Sequence, residues 1–477
     1  MENYTPDYFS DDYEEPQGRK NLRSLLLPIL ALAFLFLTVF TICLGVSVHR
    51  LINPKSPAAL SDTQKSELDE VLSQNFYEPI VRSLPYKTIP ANLTVNAESA
   101  ILIDQDTGNV LFEKNADMLI PPASMTKLVE MYVVYEAVRN GEVSLDDVVP
   151  LPPESWAKNL PSDASIMFLG EGQKVTLREL LLGLAIASGN DASIAVANYV
   201  CKDMDSFVER MNRVIRDLGL KRTHFVESSG YSEKNITTAR EFASFCRIYL
   251  RDFPEAIDNY HSQKVLMYPL EKNLPLDQKE KGDSEAVIQY NTNKLLGTLD
   301  GCDGLKTGFI YESGYNLALT AQRGRRRFIS VTMKGPGTGS VQGNKYRVLD
   351  GTELMEFAFS KFASYIPEGE GHSFVVGCSG SSEKSIRLVP AENESFSVPF
   401  IAGTSPEDAA SKIHVTANIP NYLYGRIECG QELGTITYSL EGKNLRTISL
   451  VADRKSQRKN IFGRLWGKIT YRTAGLF

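Results

Sequence analysis

Pro121-Pro122-Ala123-Ser124-Met125-Thr126-Lys127 opens an apolar-periodic run. Leu128, Met131, Tyr135 and Val138 recur at helical spacing. That predicts a helix over 124–138 with one buried stripe, closed by Gly141. Ser124 and Lys127, three residues apart, share a face, and that face is the apolar stripe. A lysine turned inward is costly as an ammonium, so burial favours the neutral, proton-accepting amine. A serine beside such an amine is an activated nucleophile. Ser155–Lys158, Ser381–Lys384 and Ser456–Lys459 repeat the spacing, but each lies in a polar or proline-flanked stretch.

Of the chain's 477 residues 43% are apolar and 23% charged, which is ordinary globular composition, and this length predicts two or three domains. A net charge of −7 gives no reason to expect nucleic acid. Six scattered cysteines have neither disulfide-framework nor metal spacing and read as mostly buried free thiols. Five isolated histidines form no metal cluster, so a zinc hydrolase is not expected.

Residues 1–24 read as an acidic, disordered cytosolic tail ending in Arg19, Lys20 and Arg23. The uncharged run 25–48 spans about 36 Å as a helix, enough for a bilayer core of about 30 Å. It is too long for a cleaved signal core and has no good cleavage site, so it reads as an uncleaved anchor. Residues 49–90 read as a stalk with Pro79, Pro85 and Pro90. Residues 91–362 read as an α/β (α+β) domain, an antiparallel sheet flanked by helices with a helical subdomain. It opens with a hairpin turning at Asp106-Thr-Gly-Asn109. Residues 263–289 read as an exposed irregular insertion, and Arg323-Gly-Arg-Arg-Arg327 as a solvated hairpin tip. Residues 368–453 read as a small all-β domain. The tail 454–477 carries seven Lys or Arg and no acid; Ile461, Phe462, Leu465, Trp466 and Ile469 fall on one face. That is the pattern of a helix lying on an anionic membrane surface.

Two further motifs come after the nucleophile helix. Ser188-Gly-Asn190 falls on a loop between predicted helices, and Lys306-Thr-Gly308 on a predicted strand. Their order and placement give the chain its resemblance. With Pro122-Ala-Ser-Met-Thr-Lys127, Ser188-Gly-Asn-Asp-Ala192 and Asp303-Gly-Leu-Lys-Thr-Gly308, residues 91–360 resemble the penicillin-binding protein and serine β-lactamase superfamily. They are most similar to its low-molecular-mass D-alanyl-D-alanine carboxypeptidases.

The resemblance implies a membrane-bound hydrolase of the bacterial cell wall, with its catalytic domain outside the cytoplasmic membrane. Ser124 would attack the bond between two D-alanines of a peptidoglycan stem peptide, and Lys127 would take its proton. Ser188 and Lys306 would complete the proton path to the leaving amine. Asn190 would hold a substrate carbonyl, and Gly308 would let substrate backbone lie along the strand edge. The N–H groups of Ser124 and Phe309 would form the oxyanion hole. Thr307 and Arg347 would take the terminal carboxylate. No metal or organic cofactor is implied, and β-lactams would acylate the serine. Ile310 departs from the family, which often has a hydroxyl residue there. Endopeptidase, transpeptidase and β-lactamase activity, or a silent wall-binding protein, are the alternatives on this fold. Glu209-Arg-Met-Asn212 has the wrong spacing for a β-lactamase's deacylation machinery.

Overall fold

The computed structural model describes residues 18–75, 79–83, 92–281, 285–367, 369, 371–399 and 405–476. Residues 1–17 of the expected disordered tail 1–24 and the prolines at 85 and 90 lie outside them, whereas residues 18–24 of that tail are helical, the first turns of α1. Helices α1 (Gly18–Ile52) and α2 (Asp62–Asn75) come first. After them come β1 (Arg82–Ser83), β2 (Ser99–Asp104) and β3 (Asn109–Lys114). The helical part comprises α3 (Lys127–Arg139), the short pair β4 (Val148–Val149) and β5 (Val175–Thr176), and α4 (Leu177–Leu182), α5 (Asn190–Cys201), α6 (Met204–Asp217) and α7 (Ala239–Asp252). Asp203 and Thr238 start α6 and α7 by accepting from backbone N–H groups three residues on. After β6 (Val265–Tyr268), α8 (Leu276–Lys281) and β7 (Val287–Tyr290), the chain returns through β8 (Cys302–Ile310), β9 (Gly314–Arg323), β10 (Arg326–Gly335) and α9 (Gly339–Lys361).

The main sheet runs β1-β3-β2-β10-β9-β8, antiparallel except for β1 beside β3. Its first strand therefore lies ahead of residue 91, inside what the sequence presents as stalk. Alternation along β2 sorts its residues to two cores: Ile101 and Ile103 join the core under the helices, Ala100 and Leu102 the core under α9. Covered on both faces, the strand is apolar over most of its length. β8 is an outer strand of this sheet, with one edge paired to β9.

Several expectations need correction. The nucleophile segment is a 3₁₀ turn, Ala123–Thr126, running into α3. Lys127 to Tyr135 are all buried, so α3 is enclosed on every side rather than along one stripe. Residues 263–289 include β6 and most of β7, paired with each other, instead of an irregular insertion. At the 323–327 turn, Arg323 pairs with Glu356, Arg327 with Asp303, and Arg326 donates to the carbonyls of Phe359 and Phe362. Arg325 alone among these arginines is exposed as a solvated tip would be. All six cysteines are free, but only Cys246 and Cys378 are buried.

The C-terminal part holds β11 (Phe362–Tyr365), β12 (Phe374–Ser379), β13 (Ser385–Pro390), β14 (Phe396–Pro399), α10 (Pro406–Ser411), β15 (His414–Asn418), β16 (Tyr422–Tyr424), β17 (Glu432–Leu440), β18 (Lys443–Ala452) and α11 (Ile461–Ala474). Its six-stranded sheet, ordered β15-β17-β18-β13-β12-β16, has a separate apolar core. The stalk is docked on this part: Ser385 donates to the carbonyl of Lys55, Arg454 to that of Ala58, and Lys455 pairs with Glu67. Leu26–Ile52 within α1 is long and apolar enough to cross a membrane, and its apolar side chains are largely exposed. Helix α11 packs on the C-terminal half of α1, where Trp466 donates to Ser47 Oγ (3.1 Å) and meets Phe40 edge-on. Ile461, Phe462 and Leu465 stay exposed.

Candidate active site

Three segments meet at the start of α3. The first is the 3₁₀ turn, on which Ser124 is partly open to solvent while Met125, Thr126 and Lys127 are buried. Ala123 has φ +51°, a left-handed conformation costing a non-glycine residue about 1–3 kcal/mol. Gly230 from a neighbouring loop abuts that residue: a Cβ on it would fall 1.9 Å from the Ala123 carbonyl oxygen. Packing from outside thus holds the turn that presents Ser124.

Lys127 is fully buried, and its Nζ donates to Asn190 Oδ1 (2.7 Å), the Ser229 carbonyl (2.6 Å) and Ser124 Oγ (3.3 Å). Burial pulls the amine well below its ordinary value of 10.5, against the opposing pull of Glu130, Glu227 and Asp191. A neutral amine next to a half-open hydroxyl can take its proton, as inward-facing Lys127 leads one to expect.

The second segment carries Ser188 and Asn190. Helix α4 ends in a π-helical turn, Gly183–Ala187, and Ser188 comes next in the left-handed conformation (φ +59°). Asn190 is the first residue of α5, so of the two only Ser188 lies on the inter-helix loop. Asp191 anchors the segment by accepting from the N–H groups of Met167, Leu169 and Ala192.

The third segment is the outer strand β8. Lys306 Nζ donates to Ser188 Oγ (3.0 Å) and to the Thr307 carbonyl (3.2 Å). It too is buried, and desolvation with the nearby Lys127 and Arg347 holds it well below 10.5. Gly304, Lys306 and Gly308 share one face of the strand. Gly304 backs onto His261, and a Cβ on Gly308 would come 2.5 Å from the Pro122 carbonyl and 3.2 Å from Ser124 N. The glycine is thus needed first for the nucleophile turn to approach the strand, a reason the sequence did not disclose. Thr307 donates to Thr292 Oγ1 (2.7 Å). Phe309 is 39% exposed and stacks on Tyr315 at 4.4 Å.

Arg347 on α9 donates to the carbonyls of Asn316 (3.0 Å) and Gly308 and to Asn344 Oδ1 (2.8 Å), and lies over the Tyr315 ring. It shares a small hollow with Thr292 and Thr307. A cavity of about 790 Å³ lies instead between α2, α7 and the C-terminal part, and Ser124, Lys127, Ser188 and Lys306 take no part in lining it.

Sequence reasoning missed the loop 227–230. Glu227 accepts from the N–H groups of Ser229 and Gly230 and from Asn235 Nδ2, shaping the loop whose Ser229 carbonyl meets Lys127. No motif spacing links these residues to Ser124, because the contact exists only once the chain has folded.

The family of D-alanyl-D-alanine carboxypeptidases, peptidase S11, matches residues 86–337. The chain belongs to this family. It is 31% identical over 370 residues to the D-alanyl-D-alanine carboxypeptidase DacF of Bacillus subtilis, covering 77% of this chain and 88% of that one. It is 30% identical over 384 residues to DacA of Escherichia coli, covering 79% and 88%. Among solved structures it is similar to penicillin-binding protein 5 of Haemophilus influenzae, with a TM-score of 0.66, 26% identity, and coverage of 78% and 100%. Penicillin-binding protein 6B of Escherichia coli gives 0.60, 27%, and 77% and 98%. The protein is a serine-type peptidase of mixed helix and sheet, as its three motifs led one to expect.

Proposed function

We propose that the protein removes the terminal D-alanine from peptidoglycan stem pentapeptides through an acyl-enzyme on Ser124. The observation that carries this reading is the convergence of Lys127 on Ser124 and of Lys306 on Ser188 at the edge of one strand. Lys127 takes the Ser124 proton as Oγ bonds to the carbonyl carbon. Ser188 and Lys306 deliver a proton to the departing amine, because an unprotonated amine leaves poorly. Substrate adds as a further strand to β8, whose outer edge pairs with no strand among the described residues. Asn190, with its Oδ1 held by Lys127, offers its Nδ2 to a substrate carbonyl. The N–H groups of Ser124 and Phe309 stabilise the oxyanion, a contribution of about 2.7–4 kcal/mol per donor. Thr307 and Arg347 receive the carboxylate. Water then releases the tetrapeptide; β-lactams stop at the first step.

The helix α1 anchors the chain in the bacterial cytoplasmic membrane, residues 1–24 lie in the cytosol, and the catalytic part lies outside. Helix α11 rests on the headgroups beside it, where Arg464 and Lys468 meet anionic lipid. The domains divide as a catalytic unit that takes in β1 and ends with α9, residues 82–361, and a β domain that runs from β11 to β18, residues 362–452.

Mass spectrometry of products from a pentapeptide muropeptide, with and without an amine acceptor, tests the reaction. Free D-alanine plus tetrapeptide is the expected pair. A cross-linked product with acceptor would make the protein a transpeptidase, and unchanged pentapeptide would make it a silent wall-binding protein.

A further inference from the structure

Behind Lys127 lies a second set of polar groups with no part in acylation or proton delivery as described for Ser124 and Ser188. Glu130 stands one helical turn beyond Lys127 on α3 and is fully buried. Its Oε2 accepts from Ser193 Oγ (2.8 Å), which lies 2.7 Å from Ser228 Oγ. Its Oε1 has no hydrogen-bond partner among the described residues. Ser193 is one turn past Asn190, and Ser228 precedes Ser229. Each of the three segments that touch or carry Lys127 thus also contributes one member of this deeper set.

We propose that Glu130 is a positioning residue for the acylation step, its carboxyl setting how readily Lys127 takes the Ser124 proton. The inference rests on the reading of Lys127 as the base. Protonated Lys127 is a buried cation whose direct partners, Asn190 Oδ1 and the Ser229 carbonyl, are neutral. A carboxylate one turn away raises its proton affinity, and a protonated carboxyl leaves that affinity low. The two groups then titrate as a pair, with midpoints that belong to neither alone.

Other charges face Lys127, but they are already committed. Asp191 on α5 is held by three backbone N–H groups, and Glu227 on its loop by two backbone N–H groups and Asn235. Lys306 on β8 opposes a second cation. Glu130, with the Ser193 hydroxyl as its one donor among the described residues, is the carboxyl free to change charge. Burial pushes it well above the usual carboxylate range while pulling Lys127 down toward it.

Glu130→Gln keeps the size and the contact with Ser193. The experiment measures acylation by a fluorescent penicillin against pH, alongside thermal unfolding. In the variant the acid limb moves down by about half a pH unit or more, so acylation on that limb becomes about threefold faster than wild type. Ser193→Ala, which removes the one donor to the carboxylate, moves the limb by raising the carboxyl's own proton affinity, in the same direction by less, and serves if Glu130→Gln does not fold. A limb that stays in place in both variants, with only a lower melting temperature, overturns the proposal and makes Glu130 a packing residue. Absence of acylation in wild type would instead count against the base assignment itself.

Discussion

The α-carbon of Gly308 lies against the carbonyl of Pro122, so closely that a Cβ would reach within 2.5 Å of that oxygen. Strand β8 and the turn carrying Ser124 therefore pack with no room for a side chain. Gly308→Ala must push them apart or tilt the turn. Acylation by labelled penicillin is expected to fall about 100-fold, the cost of misplacing a reacting group by about 1 Å. Wild-type rates in that variant would show that the turn moves freely.

Acylation should rise with pH through a midpoint well below 10.5, the ordinary lysine value. The sign comes from the base role: Lys127 acts when neutral, burial lowers its pKa, and the active form is therefore lost as pH falls through that lowered value. The pH profile of labelling measures this directly. A rate that climbs only near 10.5 would mean that the amine is solvated in the working enzyme.

Ser188→Ala and Lys306→Ala should each slow acylation strongly, and the double variant should be little worse than either one. Their 3.0 Å hydrogen bond makes them one unit in proton delivery, and such units are not additive. Fully additive losses in a double-mutant cycle would separate their roles.

Arg347→Lys should lower stability by about 2–4 kcal/mol, because one ammonium cannot replace a guanidinium bonded to two carbonyls and Asn344 while covering the Tyr315 ring. It should also raise KM for peptides ending in a carboxylate. Urea unfolding and steady-state kinetics check the two halves. A KM effect with unchanged stability would leave ligand binding as the residue's one task.

The motifs were legible because each is a short string whose residues have one clear chemical use. Lys127 could be placed on a buried face from periodicity alone, and Lys306 on a strand. What the sequence could not disclose was tertiary in origin. Gly308 looked like space for substrate, and its contact with Pro122 joins residues far apart in the chain. Arg326 and Arg327 looked solvated, yet Asp303 and the carbonyls of Phe359 and Phe362 come to meet them. Residues 49–75 looked like a free stalk because partners such as Ser385 and Arg454 lie at the far end of the sequence.

The most direct test of the central claim, that one hydroxyl carries the chemistry, is peptide mapping by mass spectrometry after incubation with labelled penicillin. One adduct is expected, on the peptide containing Ser124, with none in Ser124→Ala. No adduct on the wild-type protein, or an adduct that persists in Ser124→Ala, would contradict it.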